Sequence, residues 1–352
     1  MEYRKLGRTG VEVTPLCLGA MMFGAWGNTD HAECRGIMHA AVDAGINFID
    51  TADVYSAGES EKIVGSFLAE LGPDRRDEIV LATKFHARMG EGPNREGNSR
   101  RWIISECEAS LRRLGTDYID LYQIHRPSPG TDIDDTLSAL SDLVHAGKIR
   151  YFGSSTFPAW AVVEAHWDSE RRGRERLSTE QPPYSILARG IETDLLKVCE
   201  QYGMGVLSWS PLAGGWLSGR FGTGKDNSSR RASRMPARYD LSDPANATKL
   251  AAVDQLTELA AKAGYSLAEL AVAFVLEHPA VTSAIIGPRT MDQLTSLLKS
   301  YEIRLDGGIL DRIDEIVPPG TDLNAADSGW APPWLSEPAL RRRAPALSAG
   351  AQ

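Results

Sequence analysis

Eight short apolar segments of β type recur along the chain, and helical patterns lie between them. The segments are 15–20 (PLCLGA), 46–52 (INFIDTA), 79–84 (IVLATK), 118–125 (YIDLYQIH), 150–155 (RYFGSS), 177–181 (LSTEQ), 205–210 (GVLSWS) and 282–287 (TSAIIG). Two of the helical patterns end at Gly45 and Gly115, and glycine is typical of a helix end. Strands that alternate with helices build a parallel sheet with crossover helices. The pattern therefore predicts an α/β fold.

The number of strand-helix units favours a closed barrel over an open sheet. The chain has 352 residues, and an ordinary domain has roughly 150, so the length fits two domains or one large barrel. No break in composition divides the chain, and no GxGxxG motif opens a helix after any of the strand segments, which weighs against a Rossmann domain. We therefore predict a (β/α)8 TIM barrel.

Three segments fall outside the strand-helix rhythm. Residues 2–13 predict an N-terminal hairpin, because two short runs flank a Gly-rich turn. Residues 211–245 form a long Gly/Ser/Arg-rich loop after strand 7, and a loop of that length is usually a functional lid or a disordered segment. Residues 318–352 are rich in Pro and Ala. We therefore predict a barrel domain over 1–317 and a C-terminal tail over 318–352.

Composition excludes several functional classes. The formal net charge is −9, which argues against nucleic acid as the main partner. The 4 cysteines are far apart with no CxxC pair, so we expect reduced thiols of a cytoplasmic protein. The 7 histidines include no close metal-ligand pair, and we expect no metal. We also expect no signal peptide and no membrane partner, because no apolar run is long enough.

Ionisable side chains stand where consecutive strands end. In a barrel of this kind, active-site residues gather at the C-terminal ends of the strands. Asp50 and Tyr55 follow the second strand, Lys84 ends the third and His125 ends the fourth. Each one alone is explained as well by a structural role, such as a loop cap, a surface lysine or a core histidine. Together, they are expected to converge on one pocket.

The chemistry of these four groups fits protonation of a carbonyl oxygen. A free tyrosine has a pKa of about 10, too high for efficient proton exchange at neutral pH. A buried Lys84 would lower the pKa of Tyr55, and Asp50 would keep that lysine charged and in place. His125 would donate a hydrogen bond to a substrate oxygen and orient it. The four residues thus predict a site that protonates oxygen while an electron pair reaches carbon.

Taken together, these motifs resemble the aldo-keto reductase family. The segment GINFIDTADVY (45–55), the pair Thr83-Lys84 and the strand that ends in His125 follow the family order. The resemblance covers about residues 1–317 and implies a (β/α)8 barrel that reduces aldehydes and ketones with NADPH. It places the family's catalytic tetrad on Asp50, Tyr55, Lys84 and His125. The complete tetrad favours an enzyme, because family members that serve as channel-associated subunits can lack the histidine.

The resemblance also implies a nicotinamide site. Ser155 and Gln181 match positions that hold the nicotinamide amide. Thr156 belongs to the same site but stands where the family usually has Asn. Trp209 matches the aromatic position that stacks on the nicotinamide ring, a use that suits a large flat side chain.

Phosphate and adenine contacts are implied farther along the chain. A helix begins after Gly287 and Arg289, and a helix N-terminus beside an arginine suits a 2′-phosphate, which favours NADPH over NADH. The other matching positions in the pyrophosphate loop, the lid and the adenine site are Ser210, Pro211, Leu212, Ala213, Gly214, Arg220 and Gln293.

The substrate pocket is expected at the same face of the barrel. The residues predicted to line it are Met22, Phe23, Trp26, Phe85 and Arg126. A mostly apolar mouth with one cation suits aromatic or medium-sized carbonyl compounds and tolerates an anionic group. Trp330 and Trp334 of the tail either complete this mouth or pack on the side of the barrel or on another subunit.

Three functions stay open from the sequence. The leading one is an NADPH-dependent reductase of small-molecule carbonyl substrates, with Tyr55 as the proton donor. The second keeps this chemistry but acts on a nucleotide-linked keto-deoxysugar. The third is a non-catalytic NADPH-binding regulatory subunit, against which the complete tetrad weighs. The sequence leaves a homo-oligomer open as well.

Overall fold

The predicted barrel is confirmed by the computed structural model, which describes residues 1–227, 232 and 235–343. A two-stranded antiparallel hairpin, β1 (Arg4–Lys5) and β2 (Glu12–Val13), precedes the barrel as predicted. The barrel strands are β3 (Leu16–Gly19), β4 (Phe48–Asp50), β5 (Val80–Phe85), β6 (Ile119–Ile124), β7 (Ile149–Ser155), β8 (Thr179–Gln181), β9 (Gly205–Ser208) and β10 (Val281–Ile286). All neighbouring pairs are parallel, and β10 pairs with β3 to close the ring.

Helices surround this ring, and most of the described ones begin at a polar residue whose side chain caps the helix. The helices are α1 (His31–Asp43), α2 (Glu59–Arg76), α3 (Arg100–Leu114), α4 (Ile133–His145), α5 (Ala159–Arg172), α6 (Leu195–Tyr202), α7 (Pro244–Lys262), α8 (Leu267–Glu277), α9 (Met291–Lys299), α10 (Gly307–Ile316) and α11 (Pro333–Ser336). Asp132 shows the local cause, because its carboxylate accepts a hydrogen bond from the first turn of α4. Gly115 ends α3 in the left-handed conformation, as its sequence position predicts.

The hairpin closes the N-terminal end of the barrel. Leu6 and Val13 pack with inward-facing apolar side chains of the strands, among them Cys17, Phe48 and Leu121. A second and larger cluster fills the space between the strands and the helices. Since apolar groups fill the N-terminal end, the polar side chains at the strand ends lie at the C-terminal face of the barrel.

The long loop after strand 7 and the tail pack against each other. Part of the loop, residues 228–231 and 233–234, lies outside the described residues, and so does the tail from 344 to 352. The described parts of the loop form short 3₁₀ helices at Ala213–Gly215 and Pro236–Arg238. Asp327 of the tail is buried and forms ion pairs with Arg238 and Lys249, at 2.6 and 2.8 Å. The division into a 1–317 domain and a 318–352 tail stays a prediction.

All four cysteines are buried and free. Within the described ranges, no group of three or more His, Cys, Asp or Glu side chains is arranged to hold a metal ion. No single described helix is long and apolar enough to cross a membrane, and α7 and α8 pass that test only together, as a pair bent by 92°.

Candidate active site

Lys84 joins the two acidic members of the predicted tetrad. Asp50 ends β4 and Lys84 lies near the end of the adjacent β5, so their side chains meet at the C-terminal face of the barrel. Lys84 Nζ donates hydrogen bonds to Asp50 Oδ1, to the carbonyl oxygen of Thr51 at 2.8 Å and to the hydroxyl of Tyr55 at 3.2 Å. The ammonium is completely buried. One cation therefore contacts both the carboxylate and the phenol.

A strained turn holds Tyr55 in this position. Ser56 and Ala57 follow it with φ of 50° and 56°, in the left-handed region that side chains other than glycine seldom adopt. The backbone N–H of Asp53 donates to the carbonyl of Lys84 at 3.1 Å, which fixes the turn to β5. The sequence did not single out Asp53, which is buried and whose Oδ1 accepts from the N–H of Val54 at 2.6 Å.

Two amides complete the surroundings of Asp50. Gln181 Nε2 donates to Asp50 Oδ2 at 2.8 Å, and Gln123 Nε2 donates to the same oxygen at 3.1 Å. Gln181 Nε2 also lies 3.0 Å from Gln123 Oε1. The sequence reasoning missed Gln123, although strand periodicity could have found it. It lies two positions before His125, and alternate residues of a strand share a face.

The pKa of Tyr55 differs from the prediction. Burial raises this pKa, and the raising effect exceeds the lowering effect of Lys84, so the predicted net decrease is wrong. The phenol therefore stays protonated at neutral pH. For Lys84, burial lowers the pKa, but Asp50 and Tyr55 raise it by more, and the ammonium stays charged.

His125 approaches Tyr55 edge-on. The ring centroids are 5.8 Å apart and the planes meet at 81°. Burial lowers the pKa of His125 well below its usual range, and the charges of Lys84 and Arg126 act in the same direction. The imidazole is therefore neutral at pH 7, with one ring N–H available to donate a hydrogen bond.

The residues predicted to hold the nicotinamide amide lie beside this group. Ser155 Oγ donates to the carbonyl of Gln181 at 2.8 Å and lies 3.3 Å from Thr156 Oγ1, so one lone pair of its oxygen is left as an acceptor. Gln181 uses its N–H groups on Asp50 and Gln123, which leaves Oε1 as an acceptor. Two free acceptors fit the NH₂ group of an amide. Thr156 has φ of 61°, a conformation that Asn tolerates better than a β-branched residue.

Trp209 is partly exposed next to these amide-binding positions. Its buried Nε1 has no hydrogen-bond partner among the described residues. Gly329 of the tail lies directly against it: a Cβ added to Gly329 would be 2.7 Å from Trp209 Cζ2 and 2.9 Å from Thr156 Cγ2. Since φ of Gly329 is +83°, glycine is needed here both for the conformation and for the close approach. The tail therefore covers one edge of the indole.

The predicted pyrophosphate loop is a tight turn. Gly214 N–H donates to Ser210 Oγ at 2.7 Å, and Ala213 N–H donates to the Ser210 carbonyl at 2.7 Å. Ser210, Ala213 and Gly214 all have positive φ. The residues that complete this turn are the buried Pro211 and the half-buried Leu212.

Two exposed arginines flank the path from this turn to α9. Arg220 is exposed in the lid, and Arg289 is exposed after Gly287, just before α9. Gln293 Oε1 accepts from the N–H of Arg289 at 2.9 Å, so this side chain caps the turn in the structure. A flat ring, amide acceptors, a turn and exposed arginines together fit a nicotinamide dinucleotide.

The five residues predicted to line the substrate pocket lie in two different environments. The ring of Trp26 lies 5.9 Å from that of Tyr55, and Met22 and Arg126 are half-buried near the same face. Phe23 and Phe85 are completely buried in the core, so the prediction that they line a pocket is wrong. Phe85 follows the inward-facing Lys84 and therefore points outward, where its ring packs on Tyr122 at 4.8 Å.

The two tail tryptophans lie at the rim of the barrel. Trp330 follows Gly329, and its ring contacts that of Trp334 at 6.5 Å. Trp334 in turn lies 6.5 Å from the ring of Trp160, an exposed residue at the start of α5. Trp334 thus packs near the start of α5 on the side of the barrel, whereas Gly329 is the tail residue that lies against the indole of Trp209.

Comparison with known proteins identifies the family of this chain. A family model described as "Aldo/keto reductase family" matches residues 15–318. An uncharacterized oxidoreductase of Bacillus subtilis, YrpG, is 40% identical over 326 residues, which cover 90% of this chain and 96% of that protein. A putative voltage-gated potassium channel subunit beta of Schizosaccharomyces pombe is 34% identical over 90% of this chain and 93% of its own length. Versiconal hemiacetal acetate reductase of Aspergillus parasiticus is 33% identical over 90% of this chain and 96% of its own length. The family match and these relatives show that the chain belongs to the aldo/keto reductase family of oxidoreductases.

Proposed function

We propose that the protein reduces aldehyde or ketone carbonyls to alcohols with NADPH. The observation that carries this proposal is the contact of one buried ammonium, Lys84 Nζ, with both Asp50 and the Tyr55 hydroxyl. A bound nicotinamide supplies hydride to the carbonyl carbon. The groups of the chain then have one task, which is to deliver a proton to the carbonyl oxygen.

Tyr55 is the proton donor in this proposal. Its raised pKa keeps the phenol protonated until a developing alkoxide, which is a far stronger base, accepts the proton. Lys84 then stabilises the phenolate that is left, at 3.2 Å. Asp50 and the two amides keep the lysine in place, and the neutral His125 donates a hydrogen bond that orients the carbonyl.

NADPH is the proposed cofactor, with the nicotinamide beside Trp209. Gln181 and Ser155 would accept from its amide NH₂, and the turn from Ser210 to Gly214 would hold the pyrophosphate. The exposed Arg289 at the start of α9 favours a cofactor with a 2′-phosphate. A cytoplasmic location stays a prediction, supported by four free buried thiols.

A regulatory subunit is the second candidate, because several relatives carry the name of a potassium channel subunit beta. The arrangement of Lys84, Tyr55 and His125 supports the enzyme instead. Two other relatives are named as reductases, of versiconal hemiacetal acetate and of norsolorinic acid. A nucleotide-linked keto-deoxysugar stays open as the substrate.

The test follows NADPH oxidation with a panel of aldehydes, ketones and keto-sugars. We expect Tyr55→Phe to lower carbonyl reduction about 10²–10⁴-fold, the usual contribution of one general acid. NADPH binding, measured by fluorescence titration, should stay nearly unchanged. The matched control is Tyr118→Phe, at a phenol that hydrogen-bonds to Asp77 near the surface. A Tyr55→Phe variant within a few-fold of wild type would exclude this role, and a wild type that binds NADPH but reduces nothing would favour the regulatory subunit.

A further inference from the structure

Arg126 is a half-buried cation at the active-site face with no carboxylate partner. Its Nη1 donates to the His125 carbonyl at 2.6 Å and to Thr156 Oγ1 at 3.1 Å, and its guanidinium carbon lies 5.9 Å from the Trp209 ring centre. Within residues 1–227, 232 and 235–343, no carboxylate oxygen lies within 4.0 Å of it. The remaining positions, 228–231, 233–234 and 344–352, contain no Asp or Glu side chain.

Three other arginines that are half-buried or buried do have such partners. Arg113 pairs with Glu61 at 2.5 Å, Arg189 with Asp314 at 2.7 Å and Arg238 with Asp327 at 2.6 Å. A charge removed from water without a partner is costly, and burial indeed lowers the pKa of Arg126. Arg4 also lacks a carboxylate, but its Nη1 and Nη2 both donate to carbonyls, those of Val281 and Leu276. Arg126 differs from all of these guanidinium groups, and it lies next to His125.

Glu180, a carboxylate whose charge acts on Arg126, already accepts hydrogen bonds from other groups. Glu180 influences the charge of Arg126, but its oxygens accept from Ser154 Oγ and from the N–H of Phe157, the latter at 3.0 Å. Arg126 Nε and Nη2 donate no hydrogen bond within the part of the chain that the structure describes. A guanidinium with two unused donors can bind a carboxylate through both of its oxygens.

We propose that Arg126 binds a carboxylate of the substrate, so that the enzyme selects carbonyl compounds that also carry an anionic group. The inference rests on the proposed carbonyl reduction and names its substrate class. His125 and Tyr55 fix the position of the carbonyl oxygen, and Arg126 directly follows His125 in the chain. The two functional groups therefore belong to one small molecule, an oxo-acid or an aldehyde-acid.

A cofactor role is the competing explanation. Arg126 contacts Thr156, which stands in the predicted nicotinamide site, so its free donors could instead serve the amide of the cofactor. The two explanations predict different effects of an Arg126 substitution on the reduction of a neutral substrate. A cofactor contact affects every substrate equally, whereas a substrate contact affects only those with an anionic group.

The experiment compares each carboxybenzaldehyde isomer (2-, 3- and 4-) with its own methyl ester. The pair differs in charge but not in the reacting carbonyl. For the best isomer, we expect Arg126→Met to lower the acid-to-ester ratio of kcat/KM about 10- to 150-fold, the value of one charge-assisted contact. Arg126→Lys should retain part of the ratio. Arg101→Met, which removes an exposed charge on α3, should leave it unchanged.

Fluorescence titration with NADPH and circular dichroism accompany these measurements. An unchanged acid-to-ester ratio for all three isomers, in a folded Arg126→Met variant, would overturn the inference and leave carbonyl reduction intact. Weaker NADPH binding with equal losses for acids and esters would also overturn it and assign Arg126 to the cofactor. If the wild type reduces none of the six compounds or the wider panel, both proposals fail.

Discussion

Replacing Asp327 by Asn should weaken the contact between the C-terminal tail and the long loop 211–245. Asp327 accepts from Arg238 Nε at 2.6 Å and from Lys249 Nζ at 2.8 Å, and all three side chains are buried. Asparagine keeps the shape but removes the negative charge. One of the two cations would then face the NH₂ group instead of an acceptor oxygen, and neither would have a carboxylate. Lys249 would keep the Arg238 carbonyl at 2.9 Å and the faces of Trp216 and Tyr239 at 4.7 and 5.9 Å.

The expected loss follows from the burial of both cations. Removing one partner of a buried ion pair costs about 3–5 kcal/mol, because the other charge stays without compensation. Lys249 is completely enclosed, so little water can replace the carboxylate. If the tail opens locally instead, the loss of global stability is smaller and the tail becomes accessible to proteases.

The loss should also depend on pH. Burial already lowers the pKa of Lys249 against the raising effect of Asp327, and removal of Asp327 lowers it further. The unfolded state then binds more protons than the folded state between the two pKa values, so the free energy of unfolding of the variant rises with pH. The deficit of Asp327→Asn relative to wild type should therefore shrink from pH 7 towards the ordinary lysine pKa of about 10.4.

Urea unfolding at pH 7 and pH 9.5 measures the deficit, and limited proteolysis reports release of the tail. The control is Asp311→Asn, at an exposed carboxylate on α10. Adding Lys249→Met to Asp327→Asn should recover much of the stability, because the uncompensated ammonium is gone. A loss below about 1 kcal/mol at pH 7, without faster cleavage of the tail, would refute this reasoning.

Three further predictions concern the cofactor side and Glu180. Gly329→Ala would place a Cβ 2.7 Å from Trp209 Cζ2, so NADPH binding should weaken in titrations, whereas Gly173→Ala, equally left-handed but open, should not affect it. Arg289→Ala should weaken NADPH about 10- to 150-fold but leave NADH nearly unchanged, and equal weakening would contradict a phosphate contact. Burial raises the pKa of Glu180 from 4.5 to about 7, so the folded state binds more protons in that range and stability falls as pH rises. Compared with Glu180→Gln, the wild type should lose roughly 3 kcal/mol between pH 4.5 and pH 8 in urea unfolding, and parallel pH profiles would contradict this.

Periodicity sufficed for the barrel because the strands are short, mostly apolar and separated by helical patterns. The same rule located Lys84 and His125 at strand ends, where the structure has them. It failed for Phe85, because a strand alternates its faces to the last residue and the prediction assigned that position to a loop. The local sequence pattern could not reveal that burial raises the pKa of Tyr55 by more than Lys84 lowers it, since burial depends on the packing of distant segments.

The pairing of Asp327 with Lys249 was equally hidden from the sequence. Nothing near Asp327 marks it as buried, and the surrounding tail is rich in Pro and Ala. Its partners lie in α7 and in the lid, far back along the chain. Such a contact becomes visible only when the tail is placed over the barrel, and the same holds for the approach of Gly329 to Trp209.

Closure of the ring between β3 and β10 has a consequence for biosynthesis. Leu16 is translated near the start of the barrel, and its partner Ala284 follows only after nearly every other strand and helix. Until then, the edge of β3 offers unpaired N–H and carbonyl groups that can pair with other nascent chains. The nascent chain thus carries an open sheet with an aggregation-prone edge for most of translation. Molecular chaperones that shield sheet edges should therefore increase the yield of native protein.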